Sequence, residues 1–393
     1  MDPVPATRHP HGHADAHAAV AAAWSPEDVE VRMDPLPDRS WLELQWRELE
    51  SRSACSFFLS WSWINQWLAL IGQQYPLSLI TVHHRRRLVG MGLVTARRRF
   101  LGLGPLHLRL HEVGDREIDN LTIEYNGLLT EAGKERLCLT AMIDHLARQD
   151  SRWSTLFLPG VEEPVIDWDA PALTDLERRI SRQVSRQVDL DAIREGGKPY
   201  LEQLSPNNRS AIRRTERKIA REYGDLQFSV AQDPDQRVAW FREMAALHQA
   251  HWTTHRRTAG AFGDQRIRKF HESLMGAHDP QQQIQLTRLS AGDRTIGYAY
   301  NFIHRGTAYF YQSGTDYRHF ASFGSPGLLL LSRNIEHAVT QGLSTFDFLA
   351  GDSRYKRALA DAEGELLWVS LDRAGLTSRA RRIWHRLRPP PSQ

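Results

Sequence analysis

Cysteine is almost missing. Cys55 and Cys138 are the two in the chain, too few for a disulfide framework or a paired-cysteine metal site. Each sits in an apolar segment, SACSFFL and RLCLTAMI, as a small core residue does. Long apolar runs are missing as well, and none approaches the length that spans a bilayer. The N-terminus lacks a cationic start leading into a hydrophobic stretch, so no secretion signal is read and the cytoplasm is the expected compartment. There is no Gly-x-Ser-x-Gly, no Walker loop and no dinucleotide fingerprint, which leaves Ser/His/Asp hydrolysis, nucleotide-triphosphate chemistry and dinucleotide binding without a motif. Nor does one sign of charge dominate. Lys and Arg total 50 against 47 Asp and Glu, so nothing marks a dedicated nucleic-acid binder.

What is present describes a soluble globular chain. Its 393 residues are 41% apolar and 25% charged, enough for two domains that each bury a core. Residues 1–26 are rich in Ala, Pro and His, with His9, His11, His13 and His17, and are expected to be a disordered tail. An internal repeat organises the remainder. Leu77–Arg97, a helix over about 132–148 and Trp153–Gly160 follow the same order as Gln285–Arg305, Ser325–His337 and Ser344–Gly351: hairpin, strand, helix, strand. The ends match too, STLFLPG at 154–160 against STFDFLAG at 344–351. Expected boundaries are 27–180 for the first half, 181–370 for the second, and 371–393 for a basic amphipathic tail. Asp167 to Gly197 reads as a charged linker with a strand, and Asn120–Leu129 as a strand candidate.

The most informative stretch is Tyr309–Lys356. The alternating Tyr309-Phe310-Tyr311 suits a half-buried strand. A polar loop ends in Ser325-Pro326-Gly327 and opens a helix whose face is Leu328, Leu331, Ile335 and Val339. Gly342 stops it, and Thr345–Leu349 forms the next strand. A helix that opens on Ser, Pro and Gly presents unpaired N–H groups and a positive dipole end, a natural anion site. The first copy lacks this opening and lacks the acidic residue inside its last strand, so one half is expected to be active and the other structural.

These residues carry a resemblance. YQSGTD at 311–316, Ser325-Pro326-Gly327, FDFLAGD at 346–352 and Tyr355-Lys356 resemble the second half of double-GNAT acyltransferases associated with cellulose or exopolysaccharide biosynthesis, relatives of the FemABX peptidyl transferases. The likeness extends more diffusely from about Phe57 to Trp368. It implies an α/β (α+β) protein of two tandem GNAT-like halves, each a mixed, mostly antiparallel sheet flanked by helices. It also implies an N-acyltransferase taking an acyl group from acyl-CoA to an amine of a sugar, amino acid or small metabolite. Two alternatives stay open: FemABX-like aminoacyl transfer from charged tRNA, against which stands the lack of a long heptad-patterned helical hairpin, and a non-catalytic binding module. Acyl-CoA GNATs carry a Gln/Arg-x-x-Gly-x-Gly/Ala loop, which Phe323-Gly-Ser-Pro-Gly327 meets only loosely.

Candidate residues follow from the chemistry, since amide formation from a thioester needs an anchored donor, a polarised carbonyl, a neutral amine and a route for its proton. Donor binding is assigned to Ser325, Pro326, Gly327, the strand residues Gln312, Ser313 and Gly314, and Arg213. Gly314 is expected to let its strand splay or bulge. Arg213 belongs to a helix opened by Ser205-Pro206 and stopped by Gly224, with Arg209, Arg214, Arg217, Lys218 and Arg221 beside it; these suit CoA phosphates or a tRNA backbone equally. Asp347, Asp352, Tyr355 and Lys356 are the catalytic candidates, with Asp347 on the strand face opposite Phe346 and Phe348. Acceptor binding is assigned to Trp61, Trp63, His251, Trp252 and Asp316. His248, His251 and His255 share a helix face without a carboxylate in register, so no metal is expected.

Overall fold

The computed structural model describes residues 28–98, 104–121, 123–149, 153–256, 260–277 and 283–373. The His-rich start, the tail beyond 373 and the side chain of His255 lie outside the described residues. One continuous sheet runs through both halves. Its strands are β1 (Val29–Pro35), β2 (Leu77–His84), β3 (Arg87–Arg98), β4 (Leu106–Leu110), β5 (Leu129–Thr130), β6 (Trp153–Glu162), β7 (Leu176–Asp189), β8 (Leu226–Val230), β9 (Ile284–Ala291), β10 (Arg294–His304), β11 (Thr307–Thr315), β12 (Thr345–Ala350) and β13 (Ala362–Arg373). The order is β1-β2-β3-β4-β6-β13-β7-β12-β11-β10-β9-β8, with β5 beside β3.

The main helices are α1 (Arg39–Ser51), α2 (Trp61–Ile71), α3 (Glu135–Gln149), α4 (Pro206–Tyr223), α5 (Pro234–Arg256), α6 (Gln265–Gly276), α7 (Pro326–Thr340) and α8 (Arg354–Leu359). Local chemistry sets their ends. Ser60 accepts from the Trp63 amide to cap α2, and Ser205 accepts from Asn208 to cap α4. Gly224 closes α4 at φ 94°, and Gly342 follows α7 at φ 75°.

The two halves mirror each other about β7 and β13. In each, a strand pair runs parallel, β4 with β6 and β11 with β12. The long strands are exchanged: β13, last in the chain, pairs with β6 of the first half, while β7 pairs with β12 of the second. The expected boundary at 180/181 therefore falls inside β7, and the strand expected within the charged linker is a central strand of the sheet. Its charges are tolerated there because they are paired. Arg179 bonds Asp372 at 2.8 Å, Arg182 bonds Glu163 at 2.9 Å, and Arg186 bonds Glu363 at 2.6 Å.

Alternation along the strands splits the core by face. Leu79 and Leu93 join a cluster with α1, α2, α5 and α6, while Ile80 and Val94 join one under α3. A third cluster lies between α4, α7 and the second half of the sheet. The first cluster draws on both halves: Phe57 stacks on Phe302 at 4.2 Å, and Trp63 meets Phe270 at 5.0 Å. Trp61 and Trp63 are 1% and 0% exposed. Trp63 welds the halves together and Trp61 packs on Trp46; neither lines an acceptor pocket, because aromatic area this large lowers the free energy most when fully desolvated.

Candidate active site

The parallel pair β11–β12 comes apart. Its register runs Thr307↔Thr345, Ala308↔Phe346 and Tyr309↔Asp347, and stops there, although β11 continues to Thr315 and β12 to Ala350. Two irregularities pull the strands away from each other. On β11, Tyr311 is an extra residue between the pairs Tyr300↔Gln312 and Asn301↔Phe310. On β12, the register against β7 shifts between Asp347 and Ala350, where Leu349 adopts φ 61°, a left-handed conformation that an L side chain takes at a cost. The expected bulge exists but lies at Tyr311 and not at Gly314. Gly314 instead admits a close neighbour. A Cβ there would fall 2.2 Å from the Met244 carbonyl oxygen, so the bare glycine lets the α5 backbone press against β11.

The corresponding gap in the first half is filled by its own chain. The β4–β6 pairing ends at Arg109↔Phe157, and Ile123–Gly127 enters beyond it. Asn126 donates its amide to the Gly160 carbonyl at 2.9 Å and bridges Val161 in parallel. Gly160 is required there, since a Cβ would lie 2.7 Å from the Ile123 oxygen. This segment is not the regular strand expected over 120–129. Its passage through the first gap delivers Glu124 and Tyr125 to the second.

At the apex of the open gap sits Asp347, 2% exposed. Its carboxylate accepts from the Leu349 amide at 2.6 Å, Ser185 Oγ at 3.0 Å, Gln187 Nε2 at 2.9 Å and the Tyr125 hydroxyl. Burial pushes its proton affinity up while those four donors pull it down. Glu124 is also buried and accepts from the Ala350 amide at 2.5 Å. Burial raises its pKa to about 7. Lys356 Nζ donates to the Leu349 and Ala350 carbonyls at 3.0 and 2.5 Å. Burial lowers its pKa, and Glu124, Asp347 and Asp352 oppose that shift. The end of β12 is thus held by two carboxyl groups on its N–H groups, Asp347 on Leu349 and Glu124 on Ala350, and by the Lys356 amine on its carbonyls.

The other sequence candidates divide. Tyr355, half-buried, packs on Phe310 and Phe348, and burial raises its phenol to about 12. Asp352 is exposed and paired with Arg186 and Arg357 at 3.0 and 2.7 Å. The Arg357 hydrogen bond keeps its carboxyl low, so it is an ion-pair partner and no proton acceptor at neutral pH. Asp316 caps the single turn Tyr317–Phe320 and holds His319 Nδ1 at 2.6 Å, which occupies it structurally.

The start of α7 is narrower than its sequence suggests. Ser325 makes no side-chain cap of its own helix, and its amide donates to Thr215 Oγ1 of α4 at 3.0 Å. Pro326 has no N–H to offer. A Cβ on Gly327 would fall 2.5 Å from the Tyr317 hydroxyl, so that phenol stands over the first turn. Tyr317 packs at a tilt against His251 at 4.7 Å, His251 meets Trp252, and His248 Nδ1 bonds the Ser313 carbonyl at 2.9 Å. Ser313, Gly327, His251 and Trp252 therefore belong to one wall, formed by β11, α5 and the start of α7, with Gln312 half-buried next to Ser313. Arg213 stands exposed on α4, 4.0 Å from Glu202.

Glu124, Tyr125, Ser185 and Gln187 escaped the sequence reading. Each lies more than a hundred positions from Asp347, and nothing local announces the meeting. Among the described residues there is no cluster of His, Cys, Asp and Glu able to hold a metal, and no helix long and apolar enough to cross a membrane.

Comparison with known proteins meets this geometry. Residues 206–357, the span from α4 past the β11–β12 gap to Arg357, match the model of an acetyltransferase (GNAT) domain. The second half is thus similar to GNAT acyltransferase domains. Over most of its length the chain is similar in fold to FemX (11% identity, TM-score 0.54, covering 90% of this chain and 99% of that one). A conserved protein of unknown function from Bacteroides thetaiotaomicron is similar too (11% identity, TM-score 0.50, covering 87% and 100%). A tandem GNAT protein from the clavulanic acid biosynthesis pathway matches with a TM-score of 0.44 at 15% identity over 86% and 98%. No curated protein sequence matches significantly.

Proposed function

We propose that the protein is an N-acyltransferase in which the second half binds an acyl thioester and the first half completes the catalytic apparatus. The observation that carries this reading is the open β11–β12 gap with Glu124, Tyr125, Asp347 and Lys356 gathered at its apex. A strand edge that has lost its neighbour offers backbone N–H and C=O groups to a pantetheine arm lying in the gap.

The proposed roles follow from the contacts. The Gly327 and Leu328 amides in the first turn of α7, with Arg213, hold phosphate. Gln312 and Ser313 border the arm. Glu124, whose proton affinity lies near neutrality, takes the proton of the attacking ammonium. The neutral amine then adds to the thioester carbonyl, a C–N bond forms and the C–S bond breaks. Lys356, held in place by two carbonyls, sits as a fixed positive charge for the developing oxyanion. Tyr355, protonated at neutral pH, supplies the proton to the departing thiolate and takes up in its place the proton left on the nitrogen after addition. Asp347 has its lone pairs occupied and acts as a positioning residue for Tyr125 and for the turn at Leu349. The amine acceptor, on a sugar, amino acid or small metabolite, enters beside His251 and Trp252.

A second reading, aminoacyl transfer from a charged tRNA, is supported by the FemX-like fold over 90% of the chain. Thermal-shift titrations separate the two, because a ligand that binds the native state raises the melting temperature. Stabilisation by acetyl-CoA or a longer acyl-CoA supports the thioester reading, and stabilisation by aminoacyl-tRNA alone supports the second. No shift with any donor leaves a non-catalytic binding module.

A further inference from the structure

Helix α4 presents a stripe of positive charge that the fold does not consume. At about 100° per residue, Arg213, Arg214, Arg217, Lys218 and Arg221 fall within an arc of about 140°, and all five are exposed. Ile212, Thr215 and Ile219 occupy the opposite side and are buried. The acidic residues of the helix lie outside the arc: Glu216 is taken by Arg333, and Glu222 follows at the far edge. Arg213 has Glu202 at 4.0 Å, and Arg217 Nε reaches the Arg213 carbonyl. Among the described residues no ion pair involves Arg214, Lys218 or Arg221. This contrasts with β7, whose Arg179, Arg182 and Arg186 are each matched with carboxylates. Five like charges along one helix repel one another, and an anionic partner relieves that repulsion.

The same helix restricts the adjacent phosphate site. Thr215 of α4 takes the Ser325 amide, Pro326 offers no amide, and the Tyr317 hydroxyl stands over Gly327. A coenzyme A brings a diphosphate and a further phosphate, whereas a phosphopantetheine arm brings a single phosphodiester. The two amides left at Gly327 and Leu328 suit the latter. The stripe spans Arg213 to Arg221, about 12 Å of an 18-residue helix, a patch that one helix of a partner protein covers, and the paired arginines of β7 do not extend it toward the wider track a folded RNA needs.

We infer that the acyl donor is delivered by an acidic carrier protein, whose helix docks on the α4 stripe and threads its acylated phosphopantetheine past the start of α7 into the β11–β12 gap. This rests on the thioester reading proposed above. In the transfer the amine nitrogen bonds the acyl carbon, the carbon–sulfur bond breaks, and the thiol returns to the carrier with the proton.

The test uses the full chain with a fatty-acid-synthase-type acyl carrier protein in its acetylated and octanoylated holo forms. Fluorescence anisotropy of the labelled carrier gives affinity at low and high salt, and acetyl-CoA, acetyl-phosphopantetheine and charged tRNA serve as competitors. The expected result is salt-sensitive carrier binding that the double reversal Arg214→Glu/Lys218→Glu weakens by about tenfold or more, with the affinity for acetyl-phosphopantetheine unchanged. The single Arg221→Glu variant, at the exposed end of the stripe, gives a smaller loss in the same direction. Carrier binding unaffected by both variants overturns the inference, as does tighter binding of acetyl-CoA that responds equally to the reversal. Binding of labelled charged tRNA that the reversal weakens, with no carrier binding, also overturns it and turns the stripe into an RNA contact. If neither acetyl-CoA nor acetyl-phosphopantetheine binds, the acyltransferase reading itself fails; if they bind and the carrier does not, only the carrier inference fails.

Discussion

Replacing Asp347 by Ala probes the apex of the gap most sharply. The deletion leaves three side-chain donors without their acceptor, but these can regroup. Tyr125 and Ser185 already have their hydroxyl oxygens 2.7 Å apart, and Gln187 Nε2 lies 3.1 Å from the Tyr125 oxygen. The Leu349 amide cannot regroup, because its acceptor is the carboxylate two residues back at 2.6 Å. A buried N–H without a partner costs about 1–3 kcal/mol. The same bond anchors Leu349 at φ 61°, a conformation that costs about 1–2 kcal/mol for an L residue. Removing a buried carboxylate returns part of this through relieved desolvation. The expected net loss is about 2 kcal/mol, read by urea unfolding of the full chain. Asp347→Asn keeps Oδ1 for Leu349 and Ser185 and turns its amide toward the Tyr125 oxygen, so it is expected to cost about 1 kcal/mol or less. An alanine variant as stable as the parent refutes the reasoning, and so does an asparagine variant as damaged as the alanine one.

Three further outcomes follow from named contacts. Glu124 holds its proton up to about pH 7 in the folded state against an ordinary carboxyl value of 4.5. Between those values the folded chain binds more protons than the unfolded one, so this group's contribution to stability falls as pH rises. Glu124→Gln should flatten the stability profile across that window, and a profile unchanged from the parent would place the titration elsewhere. Gly314→Ala drives a Cβ against the Met244 carbonyl at 2.2 Å and should cost about 3 kcal/mol by overpacking, with faster hydrogen exchange along α5; an unperturbed variant would contradict the close approach. Thr215→Val removes the acceptor of the Ser325 amide at 3.0 Å and should cost about 1–2 kcal/mol in the same unfolding assay, while Thr215→Ser, which keeps the hydroxyl, should remain near the parent.

What could be read from the sequence was local. The Ser205 cap, the Gly224 stop, the helix after Ser325 and the strand around Asp347 are set by residues within a few positions, and all four stand in the structure. The repeat was visible because both halves rebuild the same parallel pair. The exchange of β7 and β13 was not, since strand pairing follows hydrogen-bond register, and the alternating charges of β7 look like a surface linker until β13 supplies their partners. The site shows the same division. Asp347 and Lys356 stood out by type and place, while Glu124 and Tyr125 reach them from the other half across a gap that only the fold creates. The tryptophans misled because Trp61 and Trp63 have the composition of a pocket wall and the burial of a core.

The central claim is that groups from both halves act on a thioester at the end of β12, and amine-dependent thiol release measures it directly. The donors are acetyl-phosphopantetheine and acetyl-CoA, offered with a panel of amino sugars and amino acids, and the variants are Lys356→Met and Glu124→Gln after their folding has been verified. Turnover by the parent chain is expected, with a fall in kcat of about a hundredfold or more in each variant and donor affinity preserved. Turnover in both variants within a few-fold of the parent would contradict the claim.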